Sequence, residues 1–294
     1  MRGRDAAIDE DQHRPGHEVA TPALALLATL AIAPPPASVG DALLARAAAY
    51  VARFELAFEH IVSDEHYEQR LSGSAYRGTQ RRRTTGEMLF WWVPDASAWL
   101  TVRNVLTVDG RPIDQRDDLF HRAFSQPGDP LAHLRRMRDE SARYNIGTIF
   151  RNINYPTLAL QFLEPVKAKR FSFTPAGADR IDGIAATRVA YHERDAPTTV
   201  QDDKGNNLFS TGTLWIADDG TVLRTQVRIV ASTAPLSMEA TVEFRTDPKL
   251  GMRVPVRMTE TYQQRERGRT TERIDGTAAY SNFRRFETSG RIIQ

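Results

Sequence analysis

The chain has 294 residues, 41% of them hydrophobic and 26% charged, and its 39 basic and 37 acidic side chains leave a formal net charge of +2. This composition suits a globular protein with one large core or two small ones, and it excludes collagen-like, coiled-coil and low-complexity architectures. The near balance of charge argues against nucleic acid as a partner, and the absence of cysteine excludes disulfides, thiol nucleophiles, thiolate metal sites and a lipid-bearing lipoprotein Cys.

In chain order, residues 19–33 ("VATPALALLATLAIA") form an apolar block of signal-peptide length. "PPPASVG" follows, with small residues at Ser38 and Gly40 where a signal peptidase reads. The preceding segment is long and acidic rather than short and basic, which fits either a later translation start or a disordered tail before a short anchor. Residues 1–40 are therefore expected to be a signal peptide or disordered leader, and the remainder, 41–294, a single exported, periplasmic domain.

Asp41 can cap a helix reaching about Ile61, with Leu44, Ala47, Val51, Phe54, Phe58 and Ile61 on one face. "VSDEHYEQRLSG", "RRTTGEMLFWWVP" and "SAWLTVRNVLTVDG" then alternate as strands, the last ending in the turn signal Asp109-Gly110. A helical insert over 114–165 follows, with helices near Gln115–Phe124 and after Asp129-Pro130, a cap residue before a first-turn proline. "RFSFTP", "GIAATRVAYHER", "GTLWIAD", "TVLRTQVRIVA", "MEATVEFRTD", "MRVPVRMTETYQQ" and "RIDGTAAYSNFRRFE" complete the chain as strands joined by short turns, which implies antiparallel pairing. The expected fold is α+β: a curved, mostly antiparallel sheet, or half-open barrel, with the N-terminal helix and the insert on its concave side.

Catalytic motifs do not emerge. His60 and His66 beside Glu59, Asp64 and Glu65, and the separate Asp117, His121 and His133, lack the ligand spacing of a metal centre. There is no Gly-x-Ser-x-Gly elbow, and Asp117-Asp118, Asp202-Asp203 and Asp218-Asp219 sit in turn or helix-start contexts. No catalytic residue, metal or cofactor is expected. Phe54, Phe58, Phe90, Trp92, Trp99, Trp215 and Phe244 could line an apolar pocket on the concave face, although packing under the helix is the usual role of such rings.

The stretch "ARYNIGTIFRNINYPTLALQFLEP" (142–165) gathers Asn145, Asn152 and Asn154 where the insert returns to the sheet. Asn145 before Ile146-Gly147 suits a helix C-terminus, and the other two amides suit a polar clamp on loop backbone. Pro156 can open a short helix through Leu163 that Pro165 ends, or the segment can be a strand.

The helix "ALLARAAAYVARFELAFEHIV", the long meander, the insert and the closing strand "GTAAYSNFRRFE" resemble the periplasmic lipoprotein-carrier superfamily, with its LolA/LolB-like fold. "VDGRPIDQRDD", "ESARYNIG", "NINYPTLALQFL", "GTLWIADDGTVLRT", "DPKLGMRVPVRMTETY" and "YSNFRRF" are similar to a group of uncharacterised exported bacterial proteins, over about residues 50–286. The resemblance implies a non-enzymatic envelope carrier holding a lipid or acylated lipoprotein, monomeric and at most peripherally in contact with a membrane. The alternatives are a structural or sensory partner in an envelope complex and, ranked lower, a secreted hydrolase.

Overall fold

Twenty residues, Val39–Phe58, form helix α1 in the computed structural model of the chain. The structure describes residues 39–286 except 97, 115–118, 152, 203 and 232–234, together with 292 and 293, all within a unit spanning 37–294. The apolar leader block 19–33 lies outside the described residues, as does Asn152. Leu43, Ala47, Val51, Phe54 and Phe58 recur at helical spacing and are buried, so one face of α1 is committed to the core. The helix starts ahead of Asp41, which sits in its first turn, and it ends before Ile61. His60 adopts φ 58°, reversing the chain, and Ile61 becomes the first residue of a strand instead of the last of the helix.

The long strands are β1 (Ile61–Ser72), β2 (Gln80–Val93) and β3 (Ala98–Val108), followed by the two-residue β4 (Arg111–Pro112). After the insert come β5 (Phe171–Ile181), β6 (Ile184–Glu193), and a small hairpin of β7 (Val200–Gln201) and β8 (Asn207–Leu208). The meander ends with β9 (Ser210–Ile216), β10 (Val222–Val230), β11 (Leu236–Asp247), β12 (Met252–Glu266), β13 (Arg269–Phe286) and β14 (Ile292–Ile293). The main sheet runs β4-β3-β2-β1-β13-β12-β11-β10-β9-β6-β5, antiparallel throughout, with β14 also on β13; its ends do not pair, so the curve stays open. The expected α+β class and antiparallel order hold, and β7–β8 is an extra two-stranded sheet.

Side-chain parity decides where the helices go. In β2, Met88, Phe90 and Trp92 enter the main core on the inner face, with α1 and a 3-10 helix, Leu158–Leu163. Leu89, Trp91 and Val93 point the other way and join Val62, Leu100, Val102 and Phe286 in a second cluster. A sheet apolar on both faces needs cover on both. Helices α2 (Leu119–Ser125) and α3 (Pro130–Ser141) supply it with Phe120, Ala123 and Leu134. The insert therefore divides: residues 119–141 cover the outer face, and only the part from Ile146 to Leu163 joins α1 inside, where the sequence placed all of it. Asp129 caps α3 as expected, accepting Leu131 N–H at 3.0 Å. Asn145 does close a helix, the 3-10 turn Ala142–Tyr144, with its N–H on Ala142 O, but it is extended (φ −70°, ψ 144°) and the left-handed angle falls on Gly147 (φ 86°). Pro165 opens a further short helix, α4 (Pro165–Ala168), instead of only ending the one before.

The edge strand β5 carries Pro175, and its register slips between Pro175 and Ala178. Near the opposite margin α3 packs along β3. The turn between β9 and β10 touches α1 directly: a Cβ on Gly220 (φ 90°) would lie 2.4 Å from the backbone carbon of Arg46, whose Nε donates to Asp218 O at 2.7 Å. Gly220→Ala combines a left-handed angle with a backbone clash. It is expected to lower stability by about 2 kcal/mol or more in urea unfolding, whereas Gly251→Ala, facing open space, should cost less.

Candidate functional site

Between the 3-10 turns Ala142–Tyr144 and Leu158–Leu163 the chain crosses the concave face as non-repetitive backbone, so its polar groups need partners other than a ladder. Arg151, 1% exposed, is the largest fully buried side chain described. Its Nη2 donates to Gln69 Oε1 and, at 3.2 Å, to Ile146 O, and its guanidinium lies 5.3 Å from the Tyr262 ring centroid. Gln69 Oε1 also accepts Ile146 N–H at 2.9 Å, which ties the segment to β1. Tyr262 and Tyr67 both donate to Glu260, the former at 3.2 Å, and burial, followed by the Glu260 charge, holds both phenols well above their ordinary pKa.

Further pairs extend this belt. Arg103 bonds Glu65 through Nε at 2.7 Å and Asn154 through Nη1 to Oδ1 (2.8 Å) and Nη2 to the carbonyl (2.6 Å). Asn145 Nδ2 donates to Arg151 O at 3.1 Å. Glu272 accepts Thr148 N–H (2.8 Å), Ile149 N–H (3.1 Å) and the Tyr76 hydroxyl (2.6 Å). Burial opposes its ionisation, but these bonds outweigh it and leave Glu272 below the ordinary carboxylate range. Asn145 and Asn154 thus hold backbone and side chains of this belt.

Above the belt lies a cavity of about 400 Å³. Ile149 and Ile153 of the insert form one wall, Val200 and Leu208 of the β7–β8 hairpin another, and Ile229, Leu236 and Met238 of the sheet the third. Tyr262 belongs both to this lining and to the belt, so the cavity floor is where the buried charges begin. Phe150 stands at the mouth, 65% exposed.

The aromatic candidates lie elsewhere. Phe54, Phe58, Phe90, Trp92, Trp99 and Phe244 are all buried in the main core, and their rings touch: Phe54 and Phe58 stack at 4.8 Å, and Trp92 and Trp99 approach to 5.2 Å. None of them is among the residues lining this cavity. Trp215 is on the other face, packed with Ile181, Ala186, Ala217 and Leu223 and donating to Asp179 at 2.8 Å. What the sequence reading missed is the belt. Its signal was present: Glu260 shares strand parity with Met258 and Tyr262, and Gln69 with Tyr67 and Leu71, so polar groups stood at core positions.

At the junction of α1 and α4, Glu55 (7% exposed) meets Glu164 and Lys167. Burial and then the Glu164 charge push Glu55 up to about 8; Glu164 is also raised by burial, and its oxygen takes the Lys167 ammonium at 3.0 Å. Among the described residues no group of three or more His, Asp or Glu side chains is arranged to hold a metal ion.

No family model matches the sequence, and no curated protein is significantly similar to it. The structure is similar to that of a LolA superfamily protein from Nitrosomonas europaea, with 11% identity, 85% of this chain and 95% of the other covered, and a TM-score of 0.34. It is similar to a DUF1329 family protein from Desulfovibrio piger (12% identity, 85% and 94% covered, TM-score 0.34). A third is the Mycobacterium tuberculosis lipoprotein LppX (13%, 82% and 94%, 0.27).

Two outcomes follow from the buried charges. Arg151→Met leaves the buried Gln69 Oε1 and Ile146 O without the guanidinium, and should cost about 2 kcal/mol in urea unfolding. Folded Glu55 keeps its proton to about 8 whereas its reference value is 4.5. The folded state therefore binds more protons in that window, and stability falls as pH rises through it. Glu55→Gln should flatten that fall, read as a smaller loss of urea midpoint between the two ends of the window than in the parent protein.

Proposed function

We propose that the protein is a non-enzymatic binding protein of the cell envelope that carries a lipid or an acylated partner in the cavity above Tyr262. The observation that carries this reading is the cavity itself: about 400 Å³, apolar on three walls and open at one end of the curved sheet. That volume is within the range of small-molecule sites, whose linings are mostly apolar with a few placed polar groups. A chain of about six methylenes taken from water there would gain about 5 kcal/mol, at about 0.8 kcal/mol each, before the cost of immobilising it.

The bound species enters from the Phe150 side and stops at Tyr262, because beyond that ring the space is filled by Arg151, Gln69 and Glu260. The solid aromatic core under α1 plays the structural part of keeping the sheet curved. Envelope localisation is supported by the apolar leader in the sequence; no helix of the described residues is long and apolar enough to cross a membrane.

Extraction of protein purified from its native host should return acyl lipid in near-stoichiometric amount. Leu236→Trp, which fills the cavity from its rim, is expected to reduce uptake of a fluorescent fatty acid by about tenfold while leaving the melting temperature within a few degrees. Unchanged uptake in that variant would remove the cavity as the binding site.

A further inference from the structure

The sheet register puts several loops at one end of the molecule. Ser72 pairs Arg273, Leu236 pairs Gln264 and Ile229 pairs Ser210, so the C-terminal ends of β1, β10 and β12 share a rim with the β7–β8 hairpin and the cavity mouth. Two kinds of side chain concentrate on that rim. Phe150, Val230 and Phe209 are 65%, 61% and 40% exposed, half of the large apolar side chains exposed among the described residues. Arg265, Arg267 and Arg269 are exposed along the tip of the β12–β13 hairpin, with Glu266 the one acidic residue between them. Among the described residues none of the three arginines forms an ion pair with a carboxylate.

The tip is stiff: Arg267 and Gly268 take φ 48° and 78° in a two-residue turn, and Arg265 N–H binds Pro235 O at 2.8 Å. Beside it an open outer groove is lined by Arg228, Arg265 and Arg273, the first paired with Glu239 at 2.6 Å and the last with Asp275 at 2.7 Å. Groove and cavity share Ala231, Leu236 and Met238, so the ends of β10 and β11 lie between the basic surface and the apolar interior.

We infer that this rim is a docking surface for an anionic lipid bilayer. Unpaired cations beside exposed rings and a valine match a membrane interface, where apolar groups enter the headgroup boundary and arginines meet lipid phosphates. A polyanion such as RNA would use the arginines and leave Phe150, Phe209 and Val230 in water. Docking in this orientation sets the cavity mouth against the bilayer, which gives the surface its purpose under the carrier reading on which that purpose, though not the binding itself, depends.

Co-sedimentation of the full chain with phosphatidylcholine vesicles, with and without a quarter of phosphatidylglycerol, tests it. Binding is expected only with the anionic lipid, and it should fall with added salt. Arg265→Glu/Arg267→Glu/Arg269→Glu, at exposed positions, should weaken it by at least about tenfold; Phe150→Ser should weaken it at constant charge. Far-UV circular dichroism shows that each variant is folded. No vesicle binding, equal binding to both vesicles, or anionic binding unaltered in the folded triple variant would overturn the proposal. Fatty-acid uptake measured in parallel separates the two readings. Uptake without vesicle binding removes the docking surface and keeps the carrier; vesicle binding without uptake does the reverse.

Discussion

A guanidinium taken wholly out of water sets the limits of this interior. Arg151 bonds Gln69 of β1 and the carbonyl of Ile146 through Nη2 and lies over the face of Tyr262 on β12, while its Nε and Nη1 are buried with no hydrogen-bond partner among the described residues. Those contacts pin the irregular stretch between two 3-10 turns across the concave face. They also divide the interior: on one side lies an aromatic core with no room, on the other an apolar cavity. The same segment thereby acts as floor to the cavity and as roof to the core.

The charges that complete the belt are distributed over strands distant in sequence. Glu65 and Tyr67 come from β1, Arg103 from β3, and Glu260, Tyr262 and Glu272 from the last two long strands. The carboxylates take hydrogen bonds from neighbouring protein groups: Glu272 from Tyr76 and two amides, Glu260 from two phenols, and Glu65 from Arg103 through Oε2, its Oε1 being buried without a partner among the described residues. Such a network specifies one arrangement of insert against sheet, since misplacement strands several buried polar groups together.

The sequence displayed most of the architecture, because strands betray themselves by alternation and turns by Asp-Gly pairs. The α1 face, the Asp129 cap and the seven strands after the insert were all legible for that reason. Less legible was anything that depends on which face of the sheet a residue occupies. Trp215 was grouped with the other aromatic residues by type, but Leu214 and Ile216 take the inner face on either side of it, so parity sends it outward. Leu223 departs from its strand's pattern because the register slips between Val222 and Arg224. The insert could not be divided between two faces without noticing that β2 is apolar on both. The polar belt was hidden for a related reason: a lone Glu at a core position names no partner until the fold brings Tyr67 to it across 193 positions of sequence.

The sheet's open ends carry one more consequence. An unpaired strand edge invites a strand from another molecule. Here β5 presents a proline, which has no N–H to offer, and a register slip that breaks the row of free backbone groups. On the opposite flank the two-residue β4 pairs Thr107 and Val108 of β3, and α3 packs on the outer face of β3. The β5 margin thus discourages foreign strands, and a half-open curve can keep an apolar hollow accessible there without inviting the cross-β stacking to which exposed edges otherwise lead.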